Sequence, residues 1–171
     1  MPTDACSEWP PVLRLADIDS VELGQLLARF GLSLIHCADH QPIPGSYWGD
    51  EEAGLKADCL YARADTPLHS ILHEACHYIC LSAARRRQLD TDAASSEAEE
   101  NAVCYLQVLL AGHLTGMDRA RMFADMDAWG YSFRLGSSRR WFESDAEDAL
   151  QWLVDERLVD RQSLLLWRLR G

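Results

Sequence analysis

The residues best equipped for chemistry are His73, Glu74 and His77, in the run His73-Glu74-Ala75-Cys76-His77. On a helix, positions four apart differ by about 40° in azimuth and about 6 Å in rise, so both imidazoles can aim at one point. Two such nitrogens hold a zinc ion at about 2.0–2.1 Å. Glu74 is turned by about 100°, too far round to share the ion comfortably. It is placed instead to take a proton from water at the metal, the general-base role of a hydrolytic site. The plainer reading is an amphipathic core helix whose two histidines are solvated or hydrogen-bonded.

A catalytic zinc site uses three protein ligands and leaves a position open. His69 lies four residues before His73 but eight before His77, about 12 Å along a helix, so it cannot join the same ion and falls to the surface or to a supporting contact. Cys80 reads as packing. The attractive carboxylates are on the next helix, which can fold back antiparallel. Glu97 heads a stripe with Asn101, Cys104, Val108 and Ala111 and leads as third ligand, with Asn101 orienting an imidazole. Glu100, on a stripe with Cys104, Gln107 and Ala111, is the alternative. Glu99 leads into Val103, Leu106 and Leu110 and reads as core. A solvated acidic first turn, favoured by the helix dipole, must account for at least one of the three. His113, Tyr105 and Tyr131 are oxyanion donors by residue type only.

The elements that must position these groups follow from periodicity and punctuation. Leu68, Ile71, Leu72, Ala75 and Ile79 recur at helical spacing after the cap-like Asp65-Thr66-Pro67, predicting a helix from there to about Arg87. Helices are expected over 20–30, 97–111, 118–129, 144–157 and 162–169; Ser144 with Glu147 has the form of a capping box. Strands are expected over 32–37 and within 54–64, with a short edge strand at 46–49 after the Pro-Gly turn and an extended run at 131–135. That edge is where an extended substrate could add a strand.

With 171 residues, 48% hydrophobic and 25% charged, the chain fits one domain, residues 1–171, with a core at about 20–111 and a helical extension over about 112–171. The net charge of −11 and pI near 4.8 argue against direct nucleic-acid binding and suit a basic protein partner. Six cysteines without paired spacing, no leader-like apolar start and no run long enough to span a membrane give a cytoplasmic expectation.

The layout resembles the zincin-type (gluzincin-like) metallopeptidases of the ImmA/IrrE class over roughly residues 21–110. The matching pieces are Phe30-Gly31-Leu32-Ser33-Leu34-Ile35, Ile43-Pro44-Gly45-Ser46-Tyr47, Asp58-Cys59-Leu60-Tyr61, His73 to His77, and Glu97-Ala98-Glu99-Glu100-Asn101. The resemblance implies an α+β, zincin-like domain: a small, mostly antiparallel sheet packed on the His-Glu-x-x-His helix, a second Glu-bearing helix, and C-terminal helices. It implies zinc (Zn2+) held by His73, His77 and Glu97, with Glu74 as catalytic base. Members of that class cut protein substrates, often repressors. The departures are Cys76 where that family has Gly, Glu100 where it has Ala, and Val103-Cys104 where it has Phe-Ala. The run from Glu100 to Leu106 is similar to the ligand helix of zinc aminopeptidases, which would put Glu100 at the metal. The expectation is a zinc metallopeptidase acting on a protein or peptide substrate; the alternative is a catalytically silent zincin scaffold used for binding or sensing.

Overall fold

The computed structural model describes residues 11–47, 49–89 and 95–171. The expectations for residues 1–10, for position 48 and for the loop at 90–94 lie outside the described residues. Among those described, seven α-helices and one three-stranded sheet make an α+β fold.

Helix α1 (Ser20–Ala28) starts where the Asp19 carboxylate accepts from the backbone N–H groups of Val21 and Glu22, and it buries Leu23, Leu26 and Leu27. Strands β1 (Ser33–His36), β2 (Gly54–Lys56) and β3 (Cys59–Ala62) form a sheet with β3 in the middle. The expected antiparallel character holds for only one of its two pairings. Lys56 faces Cys59 across a tight turn, so β2 runs against β3, while β1 pairs parallel to β3 with Ser33 opposite Cys59. The sheet is therefore mixed. The chain between β1 and β2 crosses over to the far side of β3, and strand periodicity carries no record of a neighbour's direction.

Of the expected edge strand, Ser46, Tyr47 and Gly49 are not in a strand, and the Ser46 hydroxyl accepts from the Gly49 N–H at 3.0 Å. The preceding turn lies directly on β2: Leu55 N–H donates to the Gly45 carbonyl at 3.3 Å, and a Cβ at Gly54 would collide with the Pro44 carbonyl. The glycine is what permits that approach.

Helix α2 (Leu68–Cys80) carries the histidines. Its N-terminus has no side-chain cap. Pro67 occupies the capping position, and the Thr66 hydroxyl is turned back to accept from Arg63 N–H at 2.9 Å. The helix also stops short of the expected Arg87. Leu81 is extended, Ser82 caps a separate α3 (Ala83–Arg87), and the chain changes direction between them. Ser70 ties α2 to the sheet by accepting from Ala53 N–H at 3.0 Å.

Helix α4 (Glu97–Ala111) begins at Ser96, whose hydroxyl accepts from Glu99 N–H. It packs antiparallel on α2, since Gln107 meets His69 and Glu100 meets His77. Glu99 does point inward, as its stripe implied. It is paired there with Arg85 at 2.8 and 2.9 Å and with Arg170 at 3.4 Å. Helix α5 (Arg119–Trp129) ends at Gly130, whose φ of 101° reverses the chain.

Three C-terminal expectations fail. Residues 131–135 are irregular. Ser144 does not cap a helix: it ends α6 (Ser138–Ser144), which Ser137 caps, and α7 (Glu147–Asp155) starts from Ala146 without a side-chain cap. Residues 162–169 are not helical, because Ser163 and Trp167 take left-handed φ values of 62° and 52° and Asp160 gathers the N–H groups of Gln162 and Leu164. This tail runs back across the molecule. Trp167 stacks on Phe30, and Arg170 N–H donates to the Ile79 carbonyl. Residues as far apart as Leu23, Leu72, Leu106 and Leu153 share one hydrophobic cluster, so the C-terminal helices belong to the same core as the sheet and α2.

Candidate metal centre

Helix α2 delivers His73 and His77 to the side that faces α4, as their spacing requires. Their Nε2 atoms lie 3.1 Å apart with the rings at 83°. Across from them sits the carboxylate of Glu100, with Oε1 3.1 Å from His73 Nε2 and Oε2 3.2 Å from His77 Nε2. Glu100, not the favoured Glu97, is the acid that reaches the imidazoles. Glu97 lies outside the group and borders a neighbouring cleft with Asn101, Arg134 and Asp148. The physical reason is the phase of α4: burying Glu99 against Arg85 and Arg170 turns Glu100 toward α2 and Glu97 away. Ser95 steadies the carboxylate by donating to Glu100 Oε2 at 3.0 Å.

The three groups fit a divalent cation. Their donor atoms all lie within 4.8 Å of one another. A tetrahedral site with spokes of about 2.0 Å has edges of about 3.3 Å, close to the three separations observed. The donor set, two imidazoles and a carboxylate, suits zinc among several divalent metals. His73 Nδ1 is 2.9 Å from Gln107 Oε1, which leaves Nε2 to face the cation position. Asn101, expected to orient an imidazole, is not the residue that does so. His77 Nδ1 is buried and has no hydrogen-bond partner among the described residues.

A cleft of about 610 Å³ opens on this group, and Glu52, Glu74, Cys104, Trp129 and Phe133 share in its walls. Glu74 is half-buried there, and among the described residues no hydrogen bond or ion pair engages it. Burial raises its pKa above the ordinary 4.5, opposed by His73 and His77 and aided by Glu52 and Glu100. Burial would also raise Glu100, but its hydrogen bonds with His73 and His77 outweigh that and hold it well below the carboxylate range. Across the cleft mouth, Trp129 Nε1–H donates to Glu52 at 3.0 Å.

His69 is neither at the metal position nor on the surface. It is 1% exposed, wedged against the Trp129 and Tyr131 rings at 5.0 and 5.4 Å. Burial, then the neighbouring His73 and Arg14, lowers its pKa to about 3, so the ring is neutral. Of the expected oxyanion donors, Tyr131 alone borders the cleft, and its hydroxyl is held by His69 and Gln107. Tyr105 contacts Ser163, and His113 packs on Trp167. Cys80 is buried and lies outside the group, as packing requires.

Sequence reasoning missed Gln107 and Ser95. For Gln107 a signal existed: a lone amide in the apolar run Val103 to Ala111, two helical turns after Glu100. Scans against protein-family models, curated proteins and solved structures find no match to this chain.

Proposed function

We propose that the protein is a zinc-dependent metallopeptidase that hydrolyses peptide bonds of a protein substrate. The observation that carries this is the convergence of His73, His77 and Glu100 on one point beside a half-buried Glu74 that no hydrogen bond or ion pair engages among the described residues, with His73, Glu74 and Glu100 lining one cleft. A zinc ion held by His73, His77 and Glu100 would supply Lewis acidity toward a peptide carbonyl and a nearby water. Glu74 takes the proton of that water and afterwards returns it to the leaving amine. Its raised pKa brings it nearer to neutrality, where a general base works best. The hydrogen bonds with His73 and His77 favour the ionised form of Glu100, the form a ligand needs.

A zincin-type fold is part of this proposal. The order of sheet, His-Glu-x-x-His helix and antiparallel acidic helix supports it, although Glu100 at the centre follows the register of zinc aminopeptidases rather than that of the ImmA/IrrE class. The cysteines at 37, 59, 76, 80 and 104 are free thiols, which favours a cytoplasmic setting. Among the described residues, no helix is long and apolar enough to cross a membrane.

The test is Glu74→Gln, with zinc content and cleavage of a mixed peptide library read together. The variant should hold zinc like the wild type and cleave about 10²–10⁴-fold more slowly. A zinc-loaded wild type that cuts nothing in the library, or a variant that cuts as well as the wild type, overturns the peptidase reading; the first result leaves a metal-holding binding module.

A further inference from the structure

We infer that Gln107 is a positioning residue that fixes the tautomer of His73, and that the backbone of α2 itself sets the direction of that amide. The inference rests on the metal-centre reading above and goes further, by assigning the hydrogen that each group carries.

The argument starts from an atom with only one role. The His69 carbonyl can only accept a hydrogen bond. The Gln107 side-chain nitrogen lies 3.0 Å from it, and Gln107 is fully buried, so no water competes. The amide must therefore present its NH2 end to His69 and its oxygen to His73. Oε1 can only accept, so His73 Nδ1, 2.9 Å away, carries the hydrogen. A neutral imidazole has one N–H; with it on Nδ1, the lone pair is on Nε2, the atom that faces His77 and Glu100. The His69 carbonyl, one turn earlier on the helix that carries His73, thus decides which nitrogen is offered to the cation.

Tyr131 closes the network. Its oxygen is 3.4 Å from Gln107 Nε2 and 3.1 Å from His69 Nδ1. It accepts from the amide and shares a hydrogen bond with the neutral His69 ring, so reversing the amide would break contacts at both ends. An amide does this where a carboxylate could not. A charged Glu at 107 would turn an anion toward the His69 carbonyl in a fully buried place.

The experiment uses the full chain and two variants, zinc-stripped for the tautomer, because an ion on Nε2 would by itself force the hydrogen onto Nδ1, and titrated with zinc for the affinity. Gln107→Met keeps the length and volume without the acceptor. Gln107→Glu restores an acceptor for His73 but not a donor for His69. The His73 tautomer is read by two-bond ¹H–¹⁵N NMR, and zinc affinity by competition with a chromophoric chelator. The wild type should show the hydrogen on Nδ1. Gln107→Met should lose that signature and about 10–100-fold in zinc affinity, and Gln107→Glu should recover part of both. Zinc affinity and a Nδ1–H signal in Gln107→Met equal to the wild type would overturn the inference while leaving the peptidase reading intact. A wild type that shows the signature but cuts no peptide would do the reverse.

Discussion

Glu99 and Glu100 are neighbours in sequence yet serve different sides of α4: Glu99 is 5% exposed and bound to Arg85 and Arg170, while Glu100 faces His73 and His77. A step of one residue turns a helix by about 100°, so anchoring the first carboxylate aims the second. Several consequences can be measured.

The first concerns which acid holds the ion. Glu100→Gln should cut zinc affinity by more than about a hundredfold, since loss of a mere supporting contact to a ligand already costs 10–100-fold. Glu97→Gln should leave affinity unchanged, because Glu97 stands outside the group. Chelator competition on the two purified variants decides the matter, and equal losses would put the ligand assignment in error.

Removing the ion should loosen the fold as well as the chemistry. At free zinc about a thousand times Kd, binding adds about 4 kcal/mol to stability. Calorimetric melts with and without chelator should therefore separate clearly, and in Glu100→Gln the gap should shrink to about 1.4 kcal/mol or less.

His69 makes stability sensitive to acid. Its folded pKa of about 3 lies below its ordinary 6.5, so the unfolded chain takes up the proton first. Stability from this group is complete above pH 6.5 and falls on acidification towards pH 3, by up to about 1.4 kcal/mol per pH unit. Urea denaturation of the zinc-stripped chain at pH 7 and pH 5 should show the fall. His69→Gln, which cannot titrate, should show a shallower one despite starting lower.

The inward Glu99 is a stability element. Glu99→Gln takes a buried counter-charge away from Arg85 and Arg170, although Arg170 keeps Glu156 at 2.8 Å. The cost should be about 2 kcal/mol, below that of a fully buried pair because both arginines are partly exposed. The urea midpoint should drop with the slope unchanged. A drop no larger than that of an exposed acid such as Glu143→Gln would show the pair contributes little.

The histidine helix and the acidic helix were legible because a strong apolar period and an i, i+4 pair are local facts. The choice between Glu97 and Glu100 was not. It depends on where Arg85 and Arg170 stand, and Arg170 lies 71 residues from Glu99. Gln107 looked like an interruption of an apolar stripe, because its partners His69 and Tyr131 come from other elements. The mixed sheet was hidden for the same kind of reason. At the C-terminus, Ser144 offered a locally sound cap, but the chain uses it to finish α6, and left-handed turns at Ser163 and Trp167 break a pattern that hydrophobicity alone reads as helix.

The ion trio of Glu99, Arg85 and Arg170 invites replacement by apolar side chains, an exchange that often raises stability in buried settings. Here it would remove an angular index. A greasy surface tolerates small rolls of a helix about its long axis, whereas two guanidinium groups closing on one carboxylate do not. A hyperstable redesign of that spot should keep the molecule folded and blur the aim of Glu100.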